Sequence, residues 1–174
     1  MPKVAPTKAQ AAKLPMEPSS DTPRQAPASP AVPATPGPPR AVAPAAISIE
    51  CIVVKADRIV CTLACNPRLS HTTPALAARL TAQFPDLPRH TCKSAEGTTF
   101  AAVMGHTSLP HLFEHLVIDL QVQAGSDEAR TFIGTSEWID AAIGKARVEV
   151  SFTDDLSALR AFRDATQILN DILL

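Results

Sequence analysis

Hydrophobic positions along the chain change period several times between residue 47 and the C-terminus. Two runs rich in β-branched residues, ISIECIVVKA (47–56) and RIVCTLAC (58–65), flank the polar pair Asp57 and Arg58 and predict two strands joined as a hairpin. TPALAARLTAQF (73–84) switches to helical spacing, with Thr73 placed to cap, Pro74 at the first helical position and Pro85 beyond its end. DLPRHTCKSAEGTTF (86–100) reads as a loop with a short strand around Arg89 to Lys93, closed by a glycine-containing turn. Ser108 then caps a helix through HLFEHLVIDLQVQA (111–124), which Gly125 stops.

The C-terminal third repeats this alternation. EARTFIGTSEWI (128–139) supplies a strand, and KARVEVSFT (145–153) a second, with Val148, Val150 and Phe152 on one face and Arg147, Glu149 and Ser151 on the other. Asp154 or Asp155 caps a final helix whose apolar stripe runs through Leu156, Leu159, Phe162, Ala165, Ile168, Leu169 and Ile172. The order β-β-α-(β)-α-β-β-α predicts an α+β domain over 47–174, with helices packed on a largely antiparallel sheet.

Composition separates this domain from what precedes it. Twelve of the 17 prolines lie at or before Pro44, and residues 1–46 hold no aromatic residue and no sustained apolar period. Such a stretch buries too little surface to offset its ordering entropy, so it is expected to be a disordered Pro/Ala-rich tail or linker. The remaining length suffices for one compact domain. A formal net charge of −1, without a basic stripe and with few aromatic residues, argues against a nucleic-acid partner. No window has the apolar length of a secretory signal or a membrane span, so no membrane partner is expected and the expected location is cytoplasmic. Cys51, Cys61 and Cys65 sit in apolar runs where the thiol usually acts as a small buried hydrophobe, and no disulfides are inferred. His71 and His106 border turns and are expected to face solvent.

Candidate chemistry concentrates in HLFEH, residues 111–115. Histidines at i and i+4 lie one turn apart on the same side of a helix and can share one Zn2+ ion. Glu114 precedes the second histidine and is placed to act as general base on a metal-bound water. The order H-x-x-E-H is that of inverzincins, whose usual third ligand is a distant glutamate. The competing reading is a plain amphipathic helix, because His111, Glu114, His115, Asp119 and Gln121 fall within one contiguous arc. Ile118 and Val122 share that arc and predict an apolar floor beneath the histidines. The Cys61-x3-Cys65 pair has no second pair beside it and is read as core packing.

The surroundings of HLFEH resemble a known family. HTCKSAEGTTFAAVMGHTSLPHLFEHLVIDLQVQAG (90–125) is similar to the N-terminal domain of cyanophycin synthetases through His90, Cys92, Phe100, Thr107, His111, Glu114, His115, Leu120, Gln121, Ala124 and Gly125. The likeness extends to ISIECIVVKA, LAARLTAQFPDLPRH and the closing ARVEVSFTDDLSALRAFRDATQILNDIL. The resemblance implies a metallopeptidase-like site that cuts the Arg/Asp isopeptide polymer cyanophycin into primers. The ATP-grasp ligase and Mur-ligase-like modules of a synthetase have no room here, so the resemblance implies a stand-alone relative that acts on the same or another arginine-rich or aspartate-linked peptide, or assists a separately encoded ATP-grasp or Mur-ligase-like synthetase. The chain departs from the family pattern in carrying SLP where a Trp-x-Gly is usual, Asp119 for a glutamate, and Ser151 where a late-strand glutamate is expected. Glu149 and Cys92 are therefore the candidates for the third metal ligand, and Asp119 for a group that orients the His115 imidazole. A rival reading is a non-catalytic peptide-binding or assembly module for such a ligase, tethered by its proline-rich tail.

Overall fold

A computed structural model of the chain describes residues 45–94, 96–125 and 131–174. Of the tail expected over 1–46, all but Ala45 and Ala46 lies outside the described residues. The first two strands are β1 (Ile47–Val54) and β2 (Arg58–Cys65), antiparallel, with a turn closed by a hydrogen bond from Lys55 N to Arg58 O. Helix α1 (Pro74–Gln83) follows, capped by the Thr73 hydroxyl accepting from Leu76 N. A short hairpin of β3 (Thr91–Ser94) and β4 (Gly97–Thr99) stands where one short strand is predicted. Helix α2 (Leu109–Ala124) begins at the Ser108 cap, which accepts from His111 N. Strands β5 (Gly134–Asp140) and β6 (Lys145–Ser151) form a third hairpin, and α3 (Asp155–Leu173) closes the chain with Asp154 as its cap. The first residues of the strand expected over 128–139 lie outside the described residues.

The larger sheet has the order β1-β2-β6-β5, every neighbouring pair antiparallel. This is the expected α+β architecture. Alternation decides which face of the sheet meets the helices: Ile59, Cys61, Leu63 and Cys65 of β2 and Ala146, Val148 and Val150 of β6 are buried on one side. Arg147 and Glu149 lie on the other. Cys51 departs from the buried role expected of it and is exposed, because a register shift between Ile49 and Cys51 breaks the alternation of β1. Cys61 and Cys65 fill the core as free thiols, and burial pushes both up to about 12, which keeps them protonated and inert.

The buried stripe of α3 runs through Ala158, Ala161, Phe162, Ala165, Leu169 and Ile172. Leu156, expected within it, is 60 % exposed, since at about 100° per residue it falls on the opposite side of the helix. Alanines on the inner side let α3 approach α2, where Phe162 meets Phe113 edge-on at 5.7 Å between ring centroids. Asn170 ties α3 to the start of the sheet: its Oδ1 accepts from Ala46 N and Ile47 N, and its Nδ2 donates to Ile47 O.

Helix α2 is the centre of the fold and positions the candidate chemistry. Its apolar side, Leu109, Leu112, Phe113, Leu116 and Val117, is fully buried, each large side chain contributing about 1.5–3 kcal/mol. Its polar side is buried too: Glu114, His115, Asp119 and Gln121 are all below 7 % exposed. A plain amphipathic helix would turn that side to water, so the bland reading of HLFEH does not describe this helix.

Candidate metal centre

Three elements converge on the polar side of α2. The β3–β4 hairpin brings Cys92, the residue before it brings His90, and the turn after β4 brings Phe100. Phe100 N donates to His90 O at 2.8 Å, which closes the hairpin base. The loop entering α2 is pinned by Thr72, whose backbone N and hydroxyl both donate to Thr107 O while its Oγ1 accepts from Thr107 N. That clamp holds the Thr107 hydroxyl 2.7 Å from His111 Nδ1, so His111 Nε2 points the other way, to 3.4 Å from Cys92 Sγ.

Cys92, His111 and His115 each present one ligand atom, all within 4.8 Å of one another. Bond lengths of about 2.3 Å for Zn–S and about 2.05 Å for Zn–N set the S···N edge of a tetrahedral site near 3.5 Å. The Cys92–His111 separation of 3.4 Å is close to this value. One thiolate with two imidazoles would suit a borderline-soft ion such as Zn2+. The donor set therefore fits the metal that the sequence pattern implies.

Burial tunes each group. It lowers the His111 imidazole, and it drives His115 down to about 3 with help from neighbouring His111 and His90, so both rings are neutral and able to offer a lone pair at neutral pH. Burial and the nearby Glu114 charge raise the Cys92 thiol, so a bound cation would be needed to hold it as thiolate at neutral pH. Burial also raises the Glu114 carboxyl, partly offset by the Ser136 hydroxyl, which donates to Glu114 Oε2 at 2.7 Å.

Ring stacking fixes the histidines further. Phe100 lies parallel to His115 at 3.9 Å between centroids and meets His111 edge-on at 5.4 Å. Phe100 thus gives the histidines an apolar surface, while of the two residues expected as a floor Ile118 is partly buried against the core and Val122 is 48 % exposed. Against the Glu114 carboxyl stands Gly134, two residues before Ser136 on β5, where a Cβ would fall 2.5 Å from Oε1.

Residues 58–174 match the family model of the cyanophycin synthase-like N-terminal domain. The chain belongs to that family. No curated protein and no solved structure gives a match. The match to the cyanophycin synthase-like domain takes in the whole cluster from His90 to Ser136 and leaves only β1 of the described strands outside it. No helix among the described residues is long and apolar enough to cross a membrane.

Within this cyanophycin synthase-like domain the two candidates for a third ligand part company. Cys92 joins the histidines, whereas Glu149 lies on the sheet face away from the helices, 3.7 Å from Arg58, lining a shallow polar depression with Thr135, Glu137 and Arg147. Ser151 holds the segment entering β5, its N and Oγ bonded to Ile133 O and N. Asp119 reaches His90, not His115 directly: its Oδ1 lies 3.1 Å from His90 Nε2, and Gln123 donates to its Oδ2. His71 and His106 are exposed as expected, His106 facing Glu96 at 2.7 Å. The pattern alone missed Ser136 and Gly134, which act on Glu114 only once β5 is folded against α2. His90 and Phe100 were visible as points of family likeness, without a role.

Proposed function

We propose that this domain is a zinc-dependent, peptidase-like module that hydrolyses cyanophycin-like or related Asp/Arg-containing peptides and isopeptides, in the cytoplasm, generating primers for a separate synthetase-like ligase. The observation that carries the reading is the convergence of Cys92, His111 and His115 within 4.8 Å, with the buried carboxyl of Glu114 on the same helix and near enough to act electrostatically on the Cys92 thiol. Family membership supports the substrate class. A bound Zn2+ would supply Lewis acidity and a water of lowered pKa. Around it, His111 and His115 offer neutral imidazoles from one helix face, Cys92 offers sulfur from the hairpin, and Glu114 accepts the proton of the attacking water while Ser136 holds the carboxyl in place. Glu149 is left to its ion pair with Arg58 and takes no part in this scheme.

The test couples metal content to turnover. Purified full-length protein is expected to carry one zinc per chain and to cleave cyanophycin-like peptides, with Glu114→Gln retaining the metal and losing cleavage by at least about a hundredfold. Metal-free wild type together with unchanged cleavage by Glu114→Gln would refute the reading. The burial of Glu114 and His115, at 6 % and 4 % exposure, favours a second reading. There the same centre is structural and the domain is a non-catalytic peptide-binding or assembly module for a synthetase-like ligase. Stable co-purification with such a ligase and zinc binding without turnover would support it.

A further inference from the structure

We propose that Asp119 and His90 form a relay that sets the ring tautomer of His115, so that His115 presents Nε2 to the metal. Both are positioning residues that touch neither metal nor substrate, and their role rests on the metal-centre reading above. The relay is assembled from three separate pieces: Asp119 and His115 from successive turns of α2, and His90 from the 3-10 turn before β3.

The geometry dictates the direction of the protons. Asp119 is 2 % exposed, and a buried carboxylate is tolerable only when it accepts hydrogen bonds. It receives one from Gln123, and its other oxygen lies 3.1 Å from His90 Nε2. Nε2 of His90 therefore carries a proton, and with that as the ring's single proton His90 Nδ1 is a bare acceptor. That atom lies 3.5 Å from His115 Nδ1. Two lone pairs facing each other at this distance would repel, so His115 Nδ1 is the donor. In a neutral imidazole the other nitrogen, Nε2, is then unprotonated and free to ligate. Phe100 stacked on His115 keeps the ring from turning over to exchange the two nitrogens. His111 is held independently by Thr107 and needs no such relay.

A purely structural Asp119–His90 pair would fill the same space without dictating the His115 tautomer, and the two are separable. Long-range proton–nitrogen correlation spectra of the full-length, chelator-treated, 15N-labelled chain at neutral pH are expected to show His90 protonated at Nε2 and His115 at Nδ1. In Asp119→Asn, the Gln123 amide keeps the new side-chain oxygen, so the Asn amide faces His90 Nε2. The relay then runs backwards and His115 is protonated at Nε2. Cobalt titration of the same variant is expected to give a Kd about 10- to 100-fold weaker than wild type, with the His111 tautomer unchanged. A wild-type His115 protonated at Nε2, or an Asp119→Asn Kd within twofold of wild type, overturns the relay. If Asp119→Asn fails to fold, the wild-type tautomers decide alone. A wild-type chain that takes up no cobalt but shows these tautomers overturns the metal centre and upholds the relay.

Discussion

Acid should destabilise the metal-free domain through His115, and the size of the effect follows from its burial. In the unfolded chain the imidazole titrates at its ordinary value of about 6.5, whereas burial, His111 and His90 hold it down to about 3 in the fold. Below pH 6.5 the unfolded state takes up a proton that the native state refuses. Stability therefore falls as pH drops from 6.5 and stops falling below about pH 3. Each pH unit in that window removes about 1.4 kcal/mol, so the loss is about 2 kcal/mol at pH 5 and approaches ~5 kcal/mol at pH 3. Glu114, raised by burial, acts in the opposite sense: its contribution is present below its unfolded value and declines as pH rises through the folded one. Comparing wild type with His115→Leu, both chelated, cancels that term to first order. Urea unfolding at pH 7 and pH 5 is the assay. Wild type should lose about 2 kcal/mol more than the variant between the two, a difference of roughly 5–10 °C in Tm. Equal losses would show that His115 does not stay neutral in the fold.

Three further outcomes follow from single contacts. Gly134→Ala places a methyl group 2.5 Å from Glu114 Oε1 and 2.6 Å from its Cγ, so peptide cleavage should fall by at least about tenfold while zinc stoichiometry is kept; full activity would mean that Glu114 has room to move. Glu149→Gln removes only a half-exposed pairing with Arg58 and should cost at most about 1 kcal/mol without weakening metal binding, whereas Cys92→Ala should weaken it strongly; metal titrations in which Glu149→Gln is the more damaging would return the third ligand to β6. Gly144, at φ 75° in the β5–β6 turn, sits where a Cβ would lie 1.9 Å from Cys65 O, and Gly144→Ala should destabilise by about 3 kcal/mol or more in denaturant unfolding.

Much of the fold could be read from local pattern because local chemistry dictates it. Thr73, Ser108 and Asp154 cap the helices they were expected to cap, and the period of KARVEVS places Val148 and Val150 on the buried face of β6. Where tertiary context decides, pattern was less informative. The polar arc of α2 looks like a solvated face in one dimension, and only the β3–β4 hairpin and β5 packed over it turn that arc into a buried cluster. Cys51 is indistinguishable from Cys61 by its neighbours, yet a register shift exposes one and the sheet buries the other.

The same division runs through the site. His111 and His115 announce themselves by spacing, since both lie on one helix. Cys92 and Glu149 stand as alternatives for the third ligand in the sequence because local pattern does not show how the β3–β4 hairpin, which carries Cys92 to the histidines, docks on α2. Asp119, one turn beyond His115 on the same helix, meets not His115 but His90, 29 residues earlier, a pairing set by how the hairpin docks.

The most direct measurement is a cobalt titration of the chelated, full-length chain followed by absorption. One equivalent should produce both visible d–d bands of a tetrahedral ion and a near-ultraviolet thiolate-to-cobalt band, with the thiolate band lost in Cys92→Ser and both lost in a His111→Ala, His115→Ala double variant. Absence of any thiolate band in wild type, or its survival in Cys92→Ser, would contradict a centre built from Cys92, His111 and His115.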